Sequence, residues 1–551
     1  MTKFKAAAIQ TFSVLADPKR NLASVLKSIE EAAREGAKLI VFPECMNSGY
    51  VWKDQVHAVE CADPVPGLFT SEIAKLAARL KVYVAIGLSE KDGEKVFNSA
   101  SLIGPQGLIG NYQKNFLFDF DPDFFTWGKT GYPVFETEVG KIGMFICADA
   151  RIPEGARALT LNGAEILLHI TNSTTHEQHE MHVPTRGNES EAWIISADKF
   201  GKEEGLTYPG HTLIIAPDGT EVAHGSGNKQ EIVYGEIDLD AVRKVRAGPD
   251  GILRGRRPET YGILTAPYES LPYAKIANTP VVPAKLSVLA SALQVCNISG
   301  DERATLDLAV RTGWEAAREN ARLIVFPELF LCPAQASQDK MAQSSQLTSK
   351  ALEEFGAAAR QWGAWYILNL VEQDDGRLYH TAFVVGPDGK VVTRYRKVHL
   401  TQHEAQWATP GNDYCVVELP FGNVGIMLGH EVCFCEVARI LTCLGADVIA
   451  APSAWRHPRE SNLFLRERAL ENKIFAIAAN RLDAPFAGES KIVLPNGAVA
   501  SRAGHGQTDY VFQYLNLVWA RDKQIRPGTD LIKNRRPQFY APFKEAFQVT
   551  A

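Results

Sequence analysis

Apolar positions along this chain keep two rhythms. In "NLASVLKSIEEAAREG", residues 21–36, Leu22, Val25, Leu26, Ile29 and Ala33 recur every three or four residues and share one face of an amphipathic helix. Gly36 stands just past that face, where a left-handed C-cap is wanted, and Asn320, the usual substitute, holds the matching place further on. Unbroken apolar runs form the second rhythm: "LIVF" before Pro43 and Glu44, "KIGMFI" at 141–146 and "AEILLHI" at 164–170. Strands buried on both faces read this way, and their alternation with amphipathic helices predicts layered α/β domains with helices covering the sheets.

One stretch, "GMFICADARIPEGARAL" at 143–159, reads as strand, turn and helix, with Cys147 at the turn and Pro153 and Glu154 as first-turn helix residues. A second, "GIMLGHEVCFCEVARIL" at 425–441, has the same pattern with Gly429 at the turn. The likeness is general. Gln10 matches Gln294, the "LIVFPE" ending at Glu44 matches that ending at Glu328, Lys114 matches Lys397, and "RRPETY" at 256–261 matches "RRPQFY" at 535–540. The chain is therefore a tandem repeat. Its expected parts are a domain over 1–265, a stiff, extended, proline-containing linker over 266–285, and a second domain over 286–551.

The start, "MTKFKAAAIQTFSVLA", has lysines ahead of an apolar run, as a secretion signal does, but "KLSVLASALQVCNISG" at 285–300 repeats the pattern internally, so both read as strands opening a domain. No apolar run approaches the roughly 20 residues that span a bilayer. With 58 Lys and Arg against 64 Asp and Glu, the chain carries no electrostatic footprint for nucleic acid or an anionic membrane. Nine scattered cysteines, mostly in apolar runs, read as reduced thiols, and a cytoplasmic location follows.

Taken singly, Glu44 after a buried strand reads as a loop carboxylate and Lys114 as a solvated lysine. Cys147 is either a buried inert thiol or a nucleophile, which a helix N-terminus and a nearby lysine would favour as thiolate. Taken together, "FPE", "YQK" 70 residues on and "CADARIPE" 33 residues later resemble the nitrilase superfamily of carbon-nitrogen hydrolases. That resemblance covers nearly the whole chain. It implies two tandem αββα sandwich domains forming an intrachain pseudo-dimer, with no metal or organic cofactor.

The resemblance also implies roles. Cys147 would attack an amide carbonyl or nitrile carbon, Glu44 would carry the proton, and Lys114 with a backbone N–H beside Cys147 would stabilise the oxyanion. A second carboxylate, expected seven residues past the lysine, lands on Asp121, with Asp119 and Asp123 as alternative registers; the second copy has Glu404 there. With Gly429 in place of the nucleophile, that copy reads as a pseudoenzyme domain, and Cys433 and Cys435 lie too far along to substitute. "CFC" with Cys443 reads as buried thiols in preference to a soft-metal site.

True nitrilases of the superfamily place Trp and Glu after the cysteine, whereas Ala148 and Asp149 stand here, so an amide or N-carbamoyl substrate is preferred. Resemblance to carbamoylases puts Arg151 and Asn172 near the substrate, with Arg151 read equally as a structural anchor of its helix. Phe116, Phe118, Phe120, Phe124, Phe125 and Trp127 read mainly as core, with Phe118 taken as a pocket residue. His176, His179 and His182 read as solvent-facing or substrate-rim residues rather than ligands. The expected activity is hydrolysis of a small-molecule amide through a thioester. Nitrile hydrolysis, acyl transfer to an amine and a silent assembly scaffold are the alternatives, and homo-oligomers through interfaces of the nitrilase type stay open.

Overall fold

The computed structural model describes residues 2–249, 251–277, 279, 285–298, 300–334 and 336–547. Two compact units emerge: Met1–Arg254 together with Gln524–Ala551, and Gly255–Lys523. The first repeat supplies β1 (Lys3–Gln10), α1 (Pro18–Arg34), β2 (Ala37–Val41), α2 (Gln55–Cys61), α3 (Leu68–Leu80), β3 (Tyr83–Asp92), β4 (Lys95–Gly104) and β5 (Gly107–Gln113). Next come the single turn α4 (Asp121–Phe124), β6 (Val134–Thr137), β7 (Gly140–Ile146), α5 (Pro153–Leu161), β8 (Ile166–Thr171), α6 (Val183–Ser190) and β9 (Trp193–Asp198). A hairpin of β10 (Phe200–Glu203) and β11 (Leu206–Pro209) leads to β12 (Leu213–Ile215), β13 (Glu221–His224), β14 (Glu231–Asp238) and α7 (Leu239–Arg246).

These strands make two six-stranded sheets, ordered β14-β1-β2-β3-β4-β5 and β13-β12-β9-β8-β7-β6. Each has a parallel centre, β1-β2-β3 in one and β7-β8-β9 in the other, flanked by antiparallel strands. Glu44, Cys147 and Asn172 follow the carboxyl ends of β2, β7 and β8, the end at which open α/β sheets present reactive groups. The periodic helix is α1: Asp17 caps it by accepting from the Arg20 N–H at 3.0 Å, and Pro18 occupies its first turn. Val25 and Ile29 bury against Ala7, Ile40 and Val84, and the stop residues Gly36 and Asn320 have φ of +88° and +71°.

The second unit repeats the pattern in sheets built from Ser287–Gln294, Leu323–Val325, Trp365–Asp374, Arg377–Val385, Val391–Arg396 and Asp509–Asn516, and from Val416 to Arg502. Leu323, Val325 and Ile367 of one sheet meet Ile426, Val448 and Ile477 of the other in a shared apolar layer. The repeated glutamines explain themselves in each unit: Gln294 donates to the Gly504 and Gln507 carbonyls and accepts from Ser490, as Gln10 does with Ser226, Lys229 and Thr212.

The compact units do not divide where the repeat does. Residues 255–265 belong to the second unit, and 524–551 to the first. The two "RRPxxY" motifs show why. Arg535 forms a buried pair with Glu154 at 2.7 Å, and Arg256 pairs with Glu436, the residue matching Glu154, at 2.8 Å. Each motif thus docks on the unit built from the other repeat. The described part of 266–285 is also not extended as the prolines imply: Tyr268–Ser270 and Pro272–Ala277 are short helices, and Tyr273 is buried with its hydroxyl on the Arg521 carbonyl. Residues 278 and 280–284 of that expected linker lie outside the described residues.

Candidate functional site

Glu44, Lys114 and Asp121 converge in the first unit. The Lys114 Nζ donates to Asp121 Oδ2 at 2.8 Å and to Glu44 Oε1 at 3.2 Å, with all three side chains at most 1% exposed. Burial works against the ammonium, but Asp121 and then Glu44 outweigh it and hold Lys114 protonated well above its usual range. Glu44 is held further by Asn98 Nδ2 at 2.6 Å and by the Asn172 N–H at 2.9 Å. Asp121 accepts from the Tyr50 hydroxyl and, at 3.0 Å, from the Phe118 N–H. Of the three candidate registers it is Asp121 that reaches the lysine; Asp123 is exposed, and Asp119 faces Arg526 at 3.5 Å.

Cys147 heads a 3-10 turn, Cys147–Arg151, between β7 and α5, with φ at +47°. A residue bearing a side chain is uncommon there, so the turn has to be enforced. Asp149 does this: it accepts from the Ile146 N–H at 2.9 Å, the Phe116 N–H at 2.9 Å and the Tyr112 hydroxyl at 2.7 Å. From the other side, His169 Nε2 lies 3.1 Å from the Cys147 carbonyl. A carbonyl only accepts, so Nε2 carries the proton and Nδ1 accepts from Ser196 Oγ at 2.8 Å. Burial keeps that imidazole neutral, down to about 3. Gln178 also reaches the same carbonyl, at 3.5 Å.

The thiol itself departs from expectation. Cys147 is half-buried and keeps surface access, but burial, then Glu44, push its thiol up to about 12 against the opposing pull of Lys114. The α5 helix begins only at Pro153, too far to supply a dipole at the sulfur. Cys147 at neutral pH is therefore a thiol next to a carboxylate, not a preformed thiolate.

Among the remaining sequence candidates, Asn172 is buried with neither side-chain amide atom hydrogen-bonded. Arg151 donates to Glu177 at 2.7 Å and to Thr175 at 3.3 Å, and its guanidinium lies 5.2 Å from the centre of the Phe118 ring. Phe120, Phe124, Phe125 and Trp127 pack with Tyr50 and Trp52, whereas Phe116, with Phe118 beside it, packs on Ala148, Ile152 and Leu531. His182 is buried, not solvent-facing, while His176 is exposed and His179 partly buried. Among the described residues, Cys433, Cys435 and Cys443 form no ligand group. Sequence reasoning missed Tyr50, Asn98, His169, Gln178 and the tail residues Thr529 and Leu531. Thr529 accepts from the Asp119 N–H at 2.9 Å. No motif marks these residues.

Known proteins resemble about half of the chain. A nitrilase from Pyrococcus abyssi is 35% identical over 259 residues, covering 47% of this chain and 98% of the relative. Omega-amidase NIT2 from Homo sapiens is 29% identical over 278 residues, covering 48% and 98% respectively. Among solved structures, Nit3 of Saccharomyces cerevisiae matches 44% of this chain and 93% of its own at 24% identity and a TM-score of 0.41. An amidase from Nesterenkonia sp. matches 44% and 94% at 21% identity and a TM-score of 0.40. The carbon-nitrogen hydrolase family model matches twice, over residues 5–247 and 289–520, so the chain belongs to that family and carries two of its domains in tandem.

Proposed function

We propose that the first unit hydrolyses the carbon-nitrogen bond of a small amide or N-carbamoyl compound through a thioester on Cys147. The observation that carries this reading is the buried Glu44–Lys114–Asp121 cluster beside a cysteine on a left-handed turn. Because the thiol is raised, deprotonation has to accompany attack, and Glu44 is the base that receives the proton. As sulfur bonds to the carbonyl carbon, charge gathers on the oxygen, where the Lys114 ammonium and a backbone N–H beside Cys147 stabilise it. Glu44 returns the proton to the departing nitrogen, the C–N bond breaks, and ammonia or amine leaves. Water, deprotonated by Glu44, then releases the acid and restores the thiol.

Asp121 and Tyr50 position Lys114, and the unpartnered Asn172 amide is the group best placed to bind substrate. Arg151 is already engaged by Glu177, so we assign it to anchoring the 173–178 segment, with Phe118 beneath it on the acyl side. Ala148 and Asp149 after the cysteine favour amides over nitriles, and the omega-amidase among the relatives is compatible with that choice. The test is ammonia release from panels of amides, N-carbamoyl compounds and nitriles, with intact mass for an acyl adduct. Turnover without an adduct on Cys147, or a preference for nitriles, defeats the reading.

A further inference from the structure

Away from the thiol, four histidines from three segments of the first unit gather at one place. His176 lies after β8, His179 in the turn Gln178–His182, His211 between β11 and β12, and His224 at the end of β13. One ring nitrogen each from His176, His179 and His211 lies within 4.8 Å of the others, and His211 Nδ1 is 3.2 Å from His224 Nε2. The His179 and His211 rings stack at 4.0 Å.

Three details point to a ligand set instead of ring packing alone. His179 Nδ1 is buried with no hydrogen-bond partner, an unmet polar atom in the middle of the group. Glu221 Oε1 lies 3.2 Å from His224 Nδ1 and fixes the tautomer that leaves Nε2 facing His211, the carboxylate–histidine relation found behind metal ligands. His211 sits at φ +67°, a conformation that costs free energy and aims its ring at the cluster. Nitrogens around a tetrahedral ion at 2.0–2.1 Å stand about 3.3 Å apart; the His211–His224 pair, hydrogen-bonded here at 3.2 Å, is already at that spacing, and the nitrogens of His176 and His179 would have to draw in toward it.

We propose that His176, His179, His211 and His224 form a binding site for a borderline divalent transition-metal ion of the zinc class. Four neutral nitrogen donors suit Zn²⁺, Ni²⁺ or Cu²⁺ and do not suit Mg²⁺ or Ca²⁺. Among the described residues, the other group of this kind, Glu328, His380 and Glu404, surrounds the Lys397 ammonium, which would repel an ion. Gln178, next to His179, donates to the Cys147 carbonyl, so a bound ion would tie that turn to the β11–β12 loop and β13. The role is to brace one wall of the thiol's turn without joining the chemistry.

The experiment is equilibrium dialysis of the full chain against Zn²⁺, with metal counted per chain, and Cu²⁺ electron paramagnetic resonance of the same protein. One ion per chain, lost or weakened at least about 100-fold in His211→Ala and about tenfold in Glu221→Gln, supports the site. No bound ion, an ion retained by a folded His211→Ala, or an ion lost on Cys147→Ser instead, overturns it. Should His211→Ala fail to fold, the Cu²⁺ spectrum of the unaltered chain decides: coupling to three or more imidazole nitrogens supports the site, and fewer overturns it.

Discussion

The two units carry the same turn with opposite contents. Cys147 and Gly429 have φ of +47° and +45°, so the turn keeps one backbone shape with or without a side chain. Around it, much else changed. In the second unit Lys397 contacts Glu328 at 2.9 Å and Glu404 at 2.6 Å, and His380, where the first unit has Asn98, stands 3.3 Å from Glu328 and 3.1 Å from Glu404. A Cβ on Gly429 would lie 2.1 Å from Glu328 Oε2, so the carboxylate occupies the space a cysteine would need. Asn172 and Ser173 become Ala454 and Trp455, and the Trp455 indole donates to the Gly429 carbonyl at 2.9 Å. The difference teaches that a side chain on this turn and a carboxylate in the position of Glu328 exclude each other: where the turn carries glycine, the acid fills the space.

The sharpest test of that contrast is Cys147→Ala. Activity should fall by more than about 10⁴-fold, measured as ammonia release, because the second unit has no atom to form the thioester. Retention of a substantial rate would mean that the second unit reacts after all. Next in size is Arg535→Ala, which leaves Glu154 buried without its guanidinium and should cost about 3–5 kcal/mol in denaturant unfolding. Arg256→Ala should cost a similar amount through Glu436; a wide gap between the two would break the symmetry of the docking motifs.

A smaller effect is expected from Gly429→Cys. The added side chain meets Glu328 and a left-handed backbone, so stability should drop by about 1–3 kcal/mol, and in a Cys147→Ala background ammonia release should not return. The mildest change concerns pH. With the Cys147 thiol at about 12, iodoacetamide should modify it about tenfold faster per pH unit between neutral and pH 10, with no plateau near pH 7. The sign follows from the raised value: thiolate appears only as pH climbs. Glu44→Gln removes the second cause of that rise, so it should speed alkylation at fixed pH while slowing turnover.

Much of this was legible in residue order. Apolar rhythm exposed the helices and buried strands, the repeat exposed two domains, and Cys147 could be placed on its turn from local pattern alone. Asp121 came from the family resemblance, which expects a carboxylate seven residues past the lysine and left Asp119 and Asp123 as alternative registers; the contact with Lys114 selects it. Three things were out of reach. Tyr50 and Asn98 meet the site only through sheet pairing and loop return, with no periodic signature. The thiol's resting state depends on how densely protein surrounds it and on the Glu44 charge, and local motifs overstate the lysine and the helix end. The crossed assignment of the "RRPxxY" segments needs three-dimensional contact, since a repeat boundary records duplication and not packing.

That crossing has a consequence for how the protein is made. Thr529, Leu531 and Arg535 belong to the first unit, yet the whole of Gly255–Lys523 lies ahead of them along the chain. During translation the wall behind Phe116 and Ala148 stays open until the ribosome has finished the second repeat. The nascent polypeptide thus carries Cys147 in an incomplete setting for roughly half of its synthesis, until residues 524–547 reach the first unit.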